Sequence, residues 1–294
     1  MSRIGWTLPL GVVLIAALLS GIMLGPYPLS PGQVLAQLAG RGVPGTETTV
    51  FWHIRLPRVL AAACIGAALA AAGAAYQTAF RNPLVSPDIL GVSSGAGLGA
   101  VLGIYLGLPV LAIQMLGFAT GLATVFVVVT LALAIRGSAL VMVLCGIAVG
   151  ALAGAGISLV KLLADPDDQL PAITFWLMGS LAGMKRGDLA AGAPAILLGL
   201  LPLVLLRWRI GLLALGDDEA RSLGVNAGRL RAVVVAGATL MTAAAVSMAG
   251  IVGWVGLMVP HMMRLLTGPR FDRLLPASAL GVRSFWCWSI ARRG

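Results

Sequence analysis

Few side chains in this sequence can do acid–base, metal or phosphate chemistry. Its lysines, Lys161 and Lys185, follow Val160 and Met184. No glycine-rich phosphate loop ending in Gly-Lys exists, so the chain cannot hydrolyse a nucleotide by itself. Neither histidine, His53 or His261, belongs to an H-E-x-x-H pair. His261 follows Pro260 with no second ligand at helical spacing, and reads as a structural or hinge residue. Cys64, Cys145 and Cys287 lie apart in apolar runs without Cys-x-x-Cys spacing, and read as packing residues. No catalytic residue, cofactor or metal site is expected.

The polar chemistry is concentrated instead between Arg207 and Arg231, in LGDDEARSLGVNAGRLR. Leu212, Gly216, Ala220, Leu223, Ala227 and Leu230 recur by three and four, which predicts one narrow apolar helical face; Asp217, Asp218, Glu219, Arg221 and Arg229 fall on others. Asp217 or Asp218 can cap the first turn, and acids there suit the positive end of the helix dipole. Gly224 supplies a left-handed stop before a second short turn. This pattern predicts two small helices outside a membrane, built to touch something in water. A solvated loop with chance periodicity is the alternative.

The elements that must carry this segment are apolar helices. Of 294 residues, 59% are hydrophobic and 10% charged, and mean hydropathy is +1.00, which specifies a polytopic all-α membrane bundle. The net charge of +10 does not point to nucleic acid, because the basic residues stand singly between apolar runs. Spans are expected near 7–25, 58–80, 91–107, 110–135, 139–163, 189–206, 232–249 and 253–267. The run after Arg3 is too long for a signal-peptide core and is read as a retained first span. With the N-terminus inside, eleven basic residues fall in cytoplasmic segments. Six fall outside: Arg41, Arg55, Arg58, Lys161, Lys185 and Arg186. That asymmetry favours N-in and places the Arg207–Arg231 segment in the cytoplasm.

Gly91, Gly95, Gly99, Gly103 and Gly107 form one row along a helix. Gly117 with Gly121, and Gly146 with Gly150 and Gly154, repeat the spacing, as helix-on-helix contact faces do in a bilayer. All ten acidic residues fall in connecting segments or at their edges, so no intramembrane carboxylate is available for proton or sodium coupling. Any active transport therefore draws its energy from another polypeptide.

Two further features remain open from the residues alone. Arg55 and Arg58, at the outer end of the second span, run against the charge rule and either snorkel to headgroups or meet an external partner. Asn82, Pro83 and Leu84 follow Arg81 at the inner end, where Pro83 and Pro87 forbid a continuous helix. A tight turn capped by Asn82 accounts for them.

Three strings, Arg55 to Ala100, Leu213 to Val225 and Gly250 to Gly281, together resemble the FecCD family of permease subunits. These belong to binding-protein-dependent ABC importers for iron(III)-siderophores, haem and cobalamin. The resemblance implies ten spans per subunit, a second permease subunit, a cytoplasmic ABC ATPase and an extracytoplasmic substrate-binding protein. It also implies a bacterial inner-membrane location and iron(III)-siderophore as the first-choice substrate, with cobalamin or haem as alternatives. By the same resemblance Leu213, Leu215, Gly216, Asp217, Asp218, Glu219, Ala220, Arg221, Leu223 and Gly224 seat in a groove of the ATPase. Arg55 and Arg58 then face acids of the binding protein, and Asn82 and Leu84 line a cytoplasmic gate. An ATP-independent secondary carrier is the competing class.

Residues 1–282 are expected to form the permease domain. Beyond Gly281 the sequence departs from the family: Arg283 interrupts the apolar run and SFWCWSIARRG follows. A helix from Leu274 to Val282 covers about 14 Å, under half the hydrocarbon core. Eight spans plus a stub are thus expected, with 283–294 an aberrant tail of the kind a frameshift or truncation leaves.

Overall fold

The computed structural model describes residues 7–281 except 43, 136 and 137. The tail 283–294 therefore lies outside the described residues. The helices are Thr7–Met23 (α1), Pro31–Leu38 (α2), Thr46–Thr49 (α3), Leu56–Ala79 (α4), Val92–Tyr105 (α5), Val110–Ala134 (α6), Ala139–Leu163 (α7) and Gln169–Met178 (α8). Arg186–Leu205 (α9), Arg207–Leu212 (α10), Asp217–Ser222 (α11), Ala227–Ala249 (α12), Val255–Thr267 (α13) and 271–281 (α14) follow. A π-helical turn, Val50–Arg55, joins α3 to α4, and a 3-10 turn, Pro87–Leu90, leads into α5. Among the described residues there is no strand, so the expected all-α bundle is what forms.

Among the described residues, five helices have the length and composition to cross a membrane: Thr46–Ala79, α6, α7, α9 and α12. Pro9–Met23 and α5 are shorter apolar helices. Helices α4 and α12 form the centre, because runs of alanine and glycine let backbones approach where lipid offers no hydrophobic drive for association. Around them α6, α7 and α9 turn large apolar side chains outward; Leu162 is 80% exposed, Leu152 72% and Leu205 71%. Such a surface is stable only against lipid or another apolar partner.

The glycine rows do what their spacing predicts, with two exceptions. Gly95 and Gly99 abut Thr124 and Thr120 of α6, Gly117 and Gly121 abut α5, and Gly146 abuts the backbone of Ile89. Gly107 and Gly154 face open space.

Three expectations are corrected. The second span begins near 46 rather than 58, so Arg55 and Arg58 lie within a helix and not at its end. The segment 253–267 is not among the helices long and apolar enough to cross a membrane. Gly250 (φ 74) and Trp254 (φ 67) break the chain away from α12, and α13 runs for only 13 residues. That is about 20 Å against a core of roughly 30 Å. Among the described residues, five helices of full length and two shorter apolar ones stand where eight spans were expected. Finally, α2 and α8, both outside the expected spans, are helical. Ser30 and Gln33 close a capping box on α2, and Gln33 and Gln37 hydrogen-bond Glu47 and Thr48.

The bundle has two dissimilar ends. One holds the start of Thr46–Ala79, α8 and the start of α9, and is called the Arg55 end. The other holds the end of α4, the start of α12 and both short helices α10 and α11, and is called the Asp217 end.

Candidate coupling face and arginine-rich end

At the Asp217 end, α9 stops after Leu205 and the chain turns through α10 and α11 before entering α12 at Ala227. Gly216 precedes α11 with φ 133 and Gly224 follows it with φ 78, backbone settings that L side chains rarely adopt. Gly224 is the left-handed stop that the sequence predicts. No side chain caps α11, although Asp217, Asp218 and Glu219 all lie in its first turn. The second short turn expected after Gly224 is the first turn of α12, capped by Asn226 accepting from the Arg229 N–H.

The expected stripe is not continuous, because Gly216 and Gly224 divide it between separate helices. Ala220, Ala227 and Leu230 are buried, but Leu223 is 57% exposed. Of the ten residues expected to face the ATPase, Leu213 and Ala220 are fully buried, and they anchor the segment to the bundle. Leu215, Asp218, Glu219, Arg221, Leu223 and Gly224 are exposed. Two bare leucines thus flank a charged turn, the composition of a protein-contact patch. The Asp218–Arg221 ion pair, 3.5 Å and open to solvent, adds little to stability.

Asp217 has a different role. Its carboxylate accepts from both terminal nitrogens of Arg231 on α12, at 2.8 and 3.3 Å. That bidentate bond holds the carboxyl below the ordinary carboxylate range against partial desolvation, with the nearby charges of Arg231, Arg81 and Arg221 assisting. The Arg231 Nε donates to the Ala79 carbonyl, 3.3 Å away, at the last turn of α4.

Three and five residues beyond Ala79 lie Asn82 and Leu84, the expected gate positions. Asn82 Oδ1 accepts from the Leu84 N–H at 2.9 Å, which is the tight turn that residue reading allows. Arg81 adopts φ 52 there, and Leu84 is 70% exposed. Behind the turn, the Gln77 amide accepts from Arg264 and donates to the Leu257 carbonyl, tying α4 to α13. The connection that follows folds into the bundle, where the Ser93 hydroxyl donates to Asp88.

At the opposite end, Arg55 is 7% exposed and donates to the carbonyls of Ile22 and Tyr27, at 2.6 and 2.7 Å. Its guanidinium closes the end of α1, so most of its donors are engaged within the chain rather than turned to headgroups or to solvent. Arg58 is half-buried, donates to the Ala182 carbonyl at 2.9 Å, and keeps an Nε with no partner among the described residues. Arg186 is exposed, donates to the Trp52 carbonyl and lies over the Trp52 ring at 5.2 Å. Arg58 is thus less buried than Arg55, and Arg186, like Arg41 ahead of α3, is open to solvent.

Sequence reading missed Arg231 and Gln77. Gln77 carried a signal, as a glutamine in an otherwise apolar run; Arg231 carried none beyond its charge. Among the described residues no cluster of three His, Cys, Asp or Glu could hold a metal ion. An apolar cavity of about 610 Å³ opens between α6, α7 and α12, with Arg231 and Thr239 among its few polar lining residues.

Comparison with known proteins accords with this arrangement. Residues 13–290 match the family model described as the FecCD transport family. The molybdate import system permease protein MolB of Haemophilus influenzae is 36% identical, the match covering 95% of this chain and 83% of that protein. The cobalamin import system permease protein BtuC of Halobacterium salinarum is 34% identical over 94% of this chain and 85% of its own. The hemin transport system permease protein HmuU of Yersinia pestis is 37% identical over 83% and 76%. A solved structure, described as an inward-facing conformation of a protein assigned to the metal-chelate type of ABC transporter, superimposes with a TM-score of 0.87. It shares 33% identity, covering 97% of this chain and 88% of that one.

Proposed function

The chain belongs to the FecCD transport family and is a multi-pass permease of an ABC importer of that type; we propose that its α10–α11 face seats on a separate cytoplasmic ATPase whose cycle drives import. The observation that carries this reading is the pairing of exposed Leu215 and Leu223 with the buried anchors Leu213 and Ala220, a contact patch at one end of a bundle whose sequence has no Gly-Lys phosphate loop. The Asp217 end is then cytoplasmic, the N-terminus is inside a bacterial inner membrane, and ATP closure rocks the helices to alternate access.

The opposite end receives the extracytoplasmic binding protein, with Arg58 and Arg186 offering charge to its acids and Arg55 maintaining the surface beneath them. A second permease subunit completes the pathway, and Asn82 and Leu84 close its inner side. Iron(III)-siderophore is the proposed substrate, with cobalamin and haem as alternatives. The names of the relatives extend the choice to molybdate, which the sequence reading did not consider.

Uptake of radiolabelled iron(III)-siderophore, cobalamin, haemin and molybdate is measured in proteoliposomes holding the chain, its ATPase and its binding protein. ATP-dependent uptake of one of them supports the importer and identifies its cargo. Uptake that persists without the ATPase points to a secondary carrier instead.

A further inference from the structure

The carbonyls ending a helix lose their intrahelical donors and must find others. At the end of α4, the Tyr76 carbonyl accepts from the Phe80 N–H, that of Thr78 from Arg81, and that of Gln77 from Asn82. The i+4 donor for Ala79 would be residue 83, which is proline and has no N–H. Arg231 fills the vacancy from another helix. Its other two nitrogens are held by Asp217, at the start of α11.

One planar guanidinium therefore joins the exposed short helix, the base of α12 and the turn that bears Asn82 and Leu84. We propose that Arg231 is a positioning strut that transmits movement of α11 to this turn, a role that rests on the permease reading above. The fork geometry fixes both directions at once, which a single ammonium donor cannot do. The remainder of α4 is held in place: Gln77 is bonded to Arg264 and Leu257 of α13, and Gly73 packs against Gly256. Displacement of α11 then either breaks charge-assisted bonds or pulls on the Ala79 carbonyl. Bending concentrates in residues 80–84, where no regular helix resists it and where the Asn82–Leu84 bond makes the turn move as a unit.

The test uses the full chain assembled with its ATPase, with Cys64, Cys145 and Cys287 replaced by alanine and spin labels placed in pairs. One pair is at Ser86 and Ser222, across the strut; the other is at Ser86 and Leu140, between the turn and the start of α7. In the parent protein the Ser86–Ser222 separation holds between nucleotide-free and ATP-trapped states while Ser86–Leu140 changes. In Arg231→Gln the ATPase stays bound but the Ser86–Leu140 change is lost. An undiminished change in that variant overturns the strut. Where Arg231→Gln fails to assemble, Arg231→Lys decides: a reduced change supports the proposal and a full one overturns it. Failure of both variants to hold the ATPase makes Arg231 a folding residue and also overturns it. A parent protein that binds no ATPase refutes the permease reading instead, and does so before any variant is compared.

Discussion

Gly73 on α4 and Gly256 on α13 pack so closely that a Cβ on Gly73 would run into the Gly256 carbonyl oxygen. Both partners are backbone and neither can swing aside. Gly73→Ala is expected to destabilise the protein by about 1–3 kcal/mol through overpacking. Gly154→Ala on α7, where the added methyl meets open space, leaves stability unchanged. Thermal unfolding in detergent compares the two; equal melting temperatures would show that α13 does not rest on α4 as described.

Arg55 and Arg58 should separate into different phenotypes. Arg55→Met leaves the carbonyls of Ile22 and Tyr27 without their donor, a loss of about 1–3 kcal/mol for a buried unsatisfied group. Arg58→Glu loses the half-buried bond to the Ala182 carbonyl, lowers the melting temperature less than Arg55→Met does, and weakens capture of the binding protein. Reversing both charges therefore abolishes import for two reasons, and only Arg58→Glu, read by binding-protein affinity, isolates docking. A full-strength interaction in that variant rejects the assignment.

The two classes of leucine at the Asp217 end predict opposite defects. Leu215→Glu and Leu223→Glu are exposed changes expected to leave the fold intact and to weaken ATPase association about tenfold or more, as loss of an interface anchor does. Leu213→Ala opens a cavity in the core and costs about 2–5 kcal/mol of stability. Co-purification and thermal unfolding are measured on the same preparations; normal association by both glutamate variants moves the contact elsewhere.

The Asp217–Arg231 pair sets a pH response. Because Arg231 holds the Asp217 carboxyl below its ordinary value, the pair's contribution is complete above about pH 4 and is lost as pH falls through the lower folded-state value. Neutral and mildly acidic conditions leave it intact. The difference in melting temperature between the parent protein and Asp217→Asn should be constant from pH 7 to pH 5 and shrink in stronger acid. A difference that disappears near neutrality contradicts the pairing.

The class of fold was legible because every apolar run long enough to span had to be helical, a consequence of backbone groups that lipid cannot satisfy. The glycine rows likewise revealed contact faces through spacing, with Gly107 and Gly154 as the exceptions. The candidate site was legible only as a segment. Its residues 213–224 were visible as polar punctuation in an apolar chain, but nothing in the string shows that Leu213 points inward and Leu215 outward. The segment 253–267 has a span's composition but is short, and α13 fills 13 residues of it after the positive φ of Trp254.

The sequence by itself determined the solvent each segment lives in, the absence of any nucleotide-hydrolysing motif, and the place where a charged element interrupts the bundle. Those follow from residue type and periodicity, which act locally. Tertiary structure decided which charges are spent and which are available. Arg55 and Arg58 are indistinguishable as letters, yet one is buried against two carbonyls and the other is half-exposed. Arg231 acquires its partners from residues 14 and 152 positions away in the chain. A proline that removes one N–H from α4 has its complement on another helix, and only the folded chain brings the two together.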